Sequence, residues 1–159
     1  MFNTQYINFE SAVLLKEIGF NHVTNLSIVK YTDDYVYDSD PEHPESHKAG
    51  EIRVYRHSWV PNEHTNAYPM ISITDAIFWL LHEYGYNIYT RLYKYGDDTY
   101  KWAATIEKYQ KNKDGKWTIN ENLAFKEFTG FEDSDDCLEF AVYQTLYFIK
   151  NNKWNYEAN

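Results

Sequence analysis

Two octapeptides, LLKEIGFN at 14–21 and LLHEYGYN at 80–87, carry the same local signal twice. In each, an aliphatic pair closes a helical stretch and a glycine follows. Glycine fits the position just past a helix end, because a residue without a Cβ adopts a left-handed backbone at little cost. A second echo lies downstream of each: Lys30-Tyr31-Thr32-Asp33-Asp34 and Lys94-Tyr95-Gly96-Asp97-Asp98. Together they predict a helix–strand–turn unit used twice, consistent with an internal duplication. Two such units bring helices and strands into one chain and exclude an all-helical fold.

The rest of the chain fills in the pattern. A helix is expected over 9–18, capped by Asn8, with Ala12, Leu15 and Ile18 as its apolar stripe. Phe20 is placed to fold back onto Leu15. Strands are expected at 24–31, with a continuation at 35–37, and at 52–57. Residues 38–50, rich in proline and acid, read as a loop, and 58–70, with Pro61 and Pro69, as mostly irregular. Ser72 and Asp75 form a weak capping box for a helix ending at Gly85. Its broad face of Ile73, Ala76, Ile77, Leu80, Leu81 and Tyr84 predicts a central position.

In the strand at 87–94, Ile88, Thr90 and Leu92 share one side and Tyr89, Arg91 and Tyr93 the other. In the next strand Tyr100, Trp102, Ala104 and Ile106 oppose Lys101, Ala103, Thr105 and Glu107, a half-buried alternation. Asp114-Gly115 marks a hairpin leading to Trp117 and Ile119, and 122–129 a short edge strand. A last helix over 134–150 is capped by Asp133 or Ser134, and the tail from about 151 is expected to fray. The expected fold is a single α+β domain over 1–159. It has an antiparallel sheet of four or five strands and about three helices. Its core is expected to hold Ile77, Leu80, Leu81, Tyr84, Trp102, Ile106, Leu138 and Val142.

Composition narrows the function classes. One cysteine among 159 residues rules out an intrachain disulfide. The first residues carry no basic or apolar signal segment, and no apolar run reaches membrane-spanning length, so the expected location is cytoplasmic, with no membrane partner. The formal net charge is -9. Much of it is local: Asp33, Asp34, Asp38, Asp40, Glu42, Glu45 and Glu51 face only Lys48 over 31–51. That balance repels phosphate backbones and disfavours nucleic-acid binding. It suits a protein partner with a basic surface, and leaves an acidic nucleic-acid mimic as an alternative.

Four candidates for chemistry follow. Asp38, Asp40, Glu42, His43 and His47 offer metal donors, with the histidines four apart. Pro44 opposes the helix that this spacing needs, so a solvated acidic loop is the favoured reading and no metal site is assigned. Cys137 lacks a base nearby in sequence and sits among Asp133, Asp135, Asp136 and Glu139, which oppose a thiolate. The pairs Asp33-Asp34 and Asp97-Asp98 are explained by turn chemistry.

The fourth candidate is an aromatic binding face formed by Tyr89, Tyr93 and Tyr95, to which Tyr35, Tyr37, Tyr55 and Trp59 are expected to add exposed rings. No phosphate loop, G-x-S-x-G, H-E-x-x-H or C-x-x-C is present. The leading expectation is a non-enzymatic protein-binding accessory module without a cofactor, compatible with homo-oligomerisation. The rival is a metal-dependent hydrolase using loop carboxylates and histidines.

Three segments carry a family resemblance: ESAVLLKEIGF at 10–20, SITDAIFWLLHEYGYNIYT at 72–90 and FEDSDDCLEFAVYQTLYFI at 131–149. They resemble small uncharacterised proteins of Bacteroidetes and their phages or mobile elements. Trp79-Leu80 matches that pattern, whereas Ser134-Asp135 stands where the family carries a tyrosine. The resemblance implies a bacterial or phage accessory protein and no particular activity.

Overall fold

The computed structural model describes residues 4–36, 46–63, 66–119 and 125–155. Their order is α1 (Phe9–Glu17), β1 (Leu26–Lys30), β2 (Ile52–Tyr55), β3 (Ala67–Met70), α2 (Ile73–Tyr84), β4 (Tyr86–Lys94), β5 (Tyr100–Lys111), β6 (Trp117–Ile119), β7 (Phe125–Phe131) and α3 (Ser134–Asn151). The fold is α+β, with three helices and a four-stranded antiparallel sheet. In that sheet β5 pairs with β4 on one side and with β6 and β7 on the other. The remaining strands form a separate three-stranded antiparallel sheet in the order β2-β1-β3.

Capping chemistry sets the helix boundaries. Asn8 accepts the Ser11 N–H at 2.8 Å, while its amide donates to Glu139 on α3, also at 2.8 Å. Ser72 Oγ accepts the Asp75 N–H and donates to the Asp75 carboxylate. Asp133 accepts from the N–H groups of Asp135 and Asp136 at the start of α3. Gly19 (φ 95°) and Gly85 (φ 73°) both take the left-handed conformation that stops α1 and α2.

The two echoing segments therefore share an order of helix, glycine, strand and turn, and both strands end on the echoed lysine. They part company in the sheets. The strand after Gly19 starts at Leu26 and lies centrally in the small sheet, whereas the strand after Gly85 starts at once and forms an edge of the large one. The likeness is carried by cap and turn residues.

Four expectations change. Residues 67–70 form a strand despite Pro69, because β3 is an edge strand and tolerates a residue without an N–H. The middle of β5 is buried on both faces, with Ala103 and Thr105 as shielded as Ala104 and Ile106; a central strand is screened by the long side chains of its neighbours. Of the expected core residues, Leu80, Ile106 and Val142 are fully buried. Ile77, Leu81, Tyr84, Trp102 and Leu138 are half-buried, so the α2 face is narrower than its sequence suggests. The tail is anchored through Asn155. Gln144 exchanges two hydrogen bonds with Asn155, and Trp154 stacks on Phe148 at 4.4 Å. The acidic loop of 38–50 is described only from Ser46 to Gly50; Asp38, Asp40, Glu42, His43 and Glu45 lie outside the described residues.

α1 joins the two sheets. It packs on β3 through Phe9 and Tyr68, and on α3, which in turn covers β4, β5 and β7. The buried cluster runs from Ile7, Leu15 and Ile28 through Leu80 to Ile106, Val142 and Leu146. Among the described residues, no helix is long and apolar enough to cross a membrane.

Candidate interaction face

The helices cover one face of the large sheet, through residues such as Ile88, Ile106 and Phe128. Strand alternation sends Tyr89, Arg91 and Tyr93 to the opposite face. The register sets Tyr89 beside Thr105, Arg91 beside Ala103 and Tyr93 beside Lys101, with Glu127 of β7 on the far side of Thr105. The small, fully shielded Ala103 and Thr105 form a floor between longer side chains.

Polar contacts hold these side chains in place. Tyr89 donates to one Glu107 oxygen at 3.0 Å and Tyr109 to the other at 2.8 Å. Burial, and then the Glu107 carboxylate, raise the Tyr89 pKa; for Tyr109 the bond to Glu107 is the larger cause. Both phenols therefore stay protonated as donors. Arg91 bonds Glu127 at 2.8 Å, which holds the guanidinium firmly charged, and lies 5.8 Å from the Tyr93 ring. Lys101 pairs with Glu132 at 2.9 Å and sits 4.6 Å from the Tyr95 ring. Tyr93 and Tyr95 meet edge to face at 6.5 Å. The result is a row of rings backed by engaged charges, with Tyr89 39% and Tyr95 62% exposed.

The other expected ring positions lie elsewhere. Tyr35 is exposed but belongs to the long β1–β2 connection, where it exchanges two backbone hydrogen bonds of 2.8 Å with His47. The His47 ring stacks 3.6 Å from Tyr31 and 5.5 Å from Tyr35. Tyr55 shares a hydroxyl–hydroxyl bond with Tyr31, whose pKa is raised by burial and then by that bond. Tyr37 lies outside the described residues.

Trp59 is a correction: it is 2% exposed. It packs on Phe20, and its indole N–H reaches the Ala67 carbonyl at 3.1 Å. A tryptophan between irregular segments looks available in sequence, but here it fills the gap between the end of α1 and β3.

Sequence reasoning missed Glu107, Tyr109 and Glu127 as members of the face. Alternation in β5 could have supplied the first two; Glu127 needed the β5–β7 register, which no local signal encodes.

The described residues contain no group of three or more His, Cys, Asp or Glu side chains placed to hold a metal. An open pocket of about 440 Å³ lies between Tyr6, Phe20, His22, Thr24, Asp75 and Trp79. Two of its polar groups are already engaged, Asp75 by Ser72 and Thr24 by the Leu26 carbonyl. Comparison with protein-family models, curated proteins and solved structures gave no match.

Proposed function

We propose that this chain is a protein-binding accessory module that uses the outer face of its large sheet. One observation carries the reading: Tyr89, Tyr93 and Tyr95 share the sheet face opposite the helix-covered one, with Arg91 between Tyr89 and Tyr93 and the Tyr93 and Tyr95 rings edge to face. Tyrosine offers a large apolar ring and a polar tip at little conformational cost, which is why it concentrates at binding hot spots. The face is also preorganised, since carboxylates and cations hold the surrounding side chains before any partner arrives. The acidic balance favours a partner with a basic surface, steered from a distance. The family resemblance fits a cytoplasmic accessory role in a bacterium or phage.

The test is affinity capture from a bacterial lysate with the native chain and with a Tyr89→Ser, Tyr93→Ser, Tyr95→Ser variant. The variant's fold is checked by circular dichroism. A partner held by the native chain and lost by the folded variant is expected; identical captures would reject the reading. The hydrolase alternative predicts stoichiometric zinc or manganese in protein purified without an affinity tag. That metal would be lost on joint His43→Ala and His47→Ala substitution.

A further inference from the structure

β4 is an edge strand, and its ladder to β5 fixes which backbone groups it leaves over. The Tyr95 N–H donates to Thr99 O and the Tyr109 N–H to Gly85 O, both in the register of the strand pair itself. Hydrogen-bonded pairs alternate along an antiparallel ladder, so Asn87, Tyr89, Arg91 and Tyr93 point their N–H and C=O groups at β5. Thr90, Leu92 and Lys94 point theirs off the edge, where no other strand among the described residues pairs with them. Leu92, on the helix side of the sheet, is nonetheless 53% exposed. A long, open edge with an exposed leucine is a template for another strand.

We propose that this edge pairs with the same edge of a second copy, antiparallel, about a twofold axis at Leu92. Among the registers centred on Arg91, Leu92 and Tyr93, side-chain complementarity selects one. An axis at Arg91 would set two guanidinium groups directly opposite each other. An axis at Tyr93 would leave Leu92 facing Lys94. The axis at Leu92 sets the two leucines together and Thr90 opposite Lys94. On the outer face it places Arg91 against the second copy's Tyr93, and Tyr89 against its Tyr95.

Each of the exposed apolar side chains Tyr89, Leu92 and Tyr95 then gains an apolar or aromatic neighbour. Arg91 gains a second ring to lie against, in addition to its own Tyr93. The interface is isologous, as a twofold pairing requires. It rests on the reading of the outer face as an interaction surface and extends it: edge-to-edge pairing leaves that face open and doubles its tyrosine row. Each chain carries a charge of -9, and Arg91 and Lys94 add local like charge. Salt therefore strengthens the dimer.

Sedimentation equilibrium over a concentration series into the millimolar range is the primary test. A mass rising to that of a dimer, more readily at high salt, is expected; a monomer throughout overturns the proposal. Leu92→Pro removes an outward N–H at the axis and no bond to β5, so it should abolish the dimer while the chain stays folded. A dimer that survives it also overturns the proposal.

Should that variant misfold, Leu92→Cys decides. Facing Cα atoms of a hydrogen-bonded antiparallel pair lie about 5.5 Å apart, within disulfide reach. Leu92→Cys should cross-link under mild oxidation far faster than Phe78→Cys, an exposed site on α2; equal rates would reject the pairing. Partner capture by a folded, monomeric Leu92→Pro chain would preserve the binding reading while isolating the fate of the dimer.

Discussion

The Cys137 thiol lies in the first turn of α3, wholly shielded from solvent, and burial pushes its pKa from 9.0 up to about 11. Helix position alone would lower it; desolvation is the larger effect. This carries a stability consequence with a definite sign. The folded state holds the proton more tightly than the unfolded chain. The contribution is therefore complete below pH 9 and is lost as the pH rises toward 11. Its size is roughly 2–3 kcal/mol. Tyr84 and Tyr86, also raised by burial, add to the alkaline loss. Cys137→Ala keeps their share and removes the thiol's. Urea unfolding at pH 8 and pH 10.5 should therefore show a smaller drop for the variant than for the native chain. An equal drop would mean that the thiol ionises without opening the core. A matching expectation is that disulfide reagents modify Cys137 only on unfolding.

At the scale of elements, the two helix-stopping glycines separate a backbone requirement from a packing one. Both have positive φ. A Cβ on Gly19 would meet nothing within 4 Å, whereas a Cβ on Gly85 would sit 2.3 Å from the Tyr109 carbonyl oxygen and 3.2 Å from the Trp117 ring. Gly19→Ala should cost about 1 kcal/mol, the left-handed penalty alone. Gly85→Ala should cost several times more, on the order of 3–4 kcal/mol, since α2, β5 and β6 must separate to admit it. Chemical denaturation of the two variants side by side checks the difference; equal costs would show that the close approach relaxes freely.

The same glycines show what the sequence encodes. Caps and stops were legible because a glycine after an aliphatic pair, or an Asn, Ser or Asp before a helix, acts through neighbours in the chain. The crossing of Gly85 against Tyr109 was not, because it depends on a pairing 24 residues away. The division into two sheets was hidden for the same reason, since β1 pairs with segments 22 or more residues away, one of which, β3, carries Pro69 and no alternation. At the candidate face, period-two spacing placed Tyr89 and Tyr93 together. The burial of Trp59 needed knowledge of how α1 meets β3.

Among the described residues, several side-chain ties join the small-sheet half of the molecule to its large-sheet half. Tyr84, at the end of α2, donates its hydroxyl to the Ile18 carbonyl at the end of α1, at 2.7 Å. Lys150 on α3 pairs with Glu17, and the Asn8 amide reaches Glu139. Around these polar ties the apolar cluster is continuous, running from Ile28 of the small sheet to Ile106 of the large one.

A continuous core opposes independent melting of its parts, so the chain should unfold in one cooperative step. Native-state hydrogen exchange reports this directly. The amides of Ile28 and Val29 should exchange with nearly the same opening free energy as those of Ala104 and Thr105. Tyr84→Phe deletes the hydroxyl and leaves the Ile18 carbonyl without that donor, a loss of about 1–2 kcal/mol. Because the bond spans both halves, the loss should lower all four opening energies together. If the small-sheet amides instead open at much lower free energy, and Tyr84→Phe moves them alone, then α1 and its sheet form a separate folding unit docked on the rest.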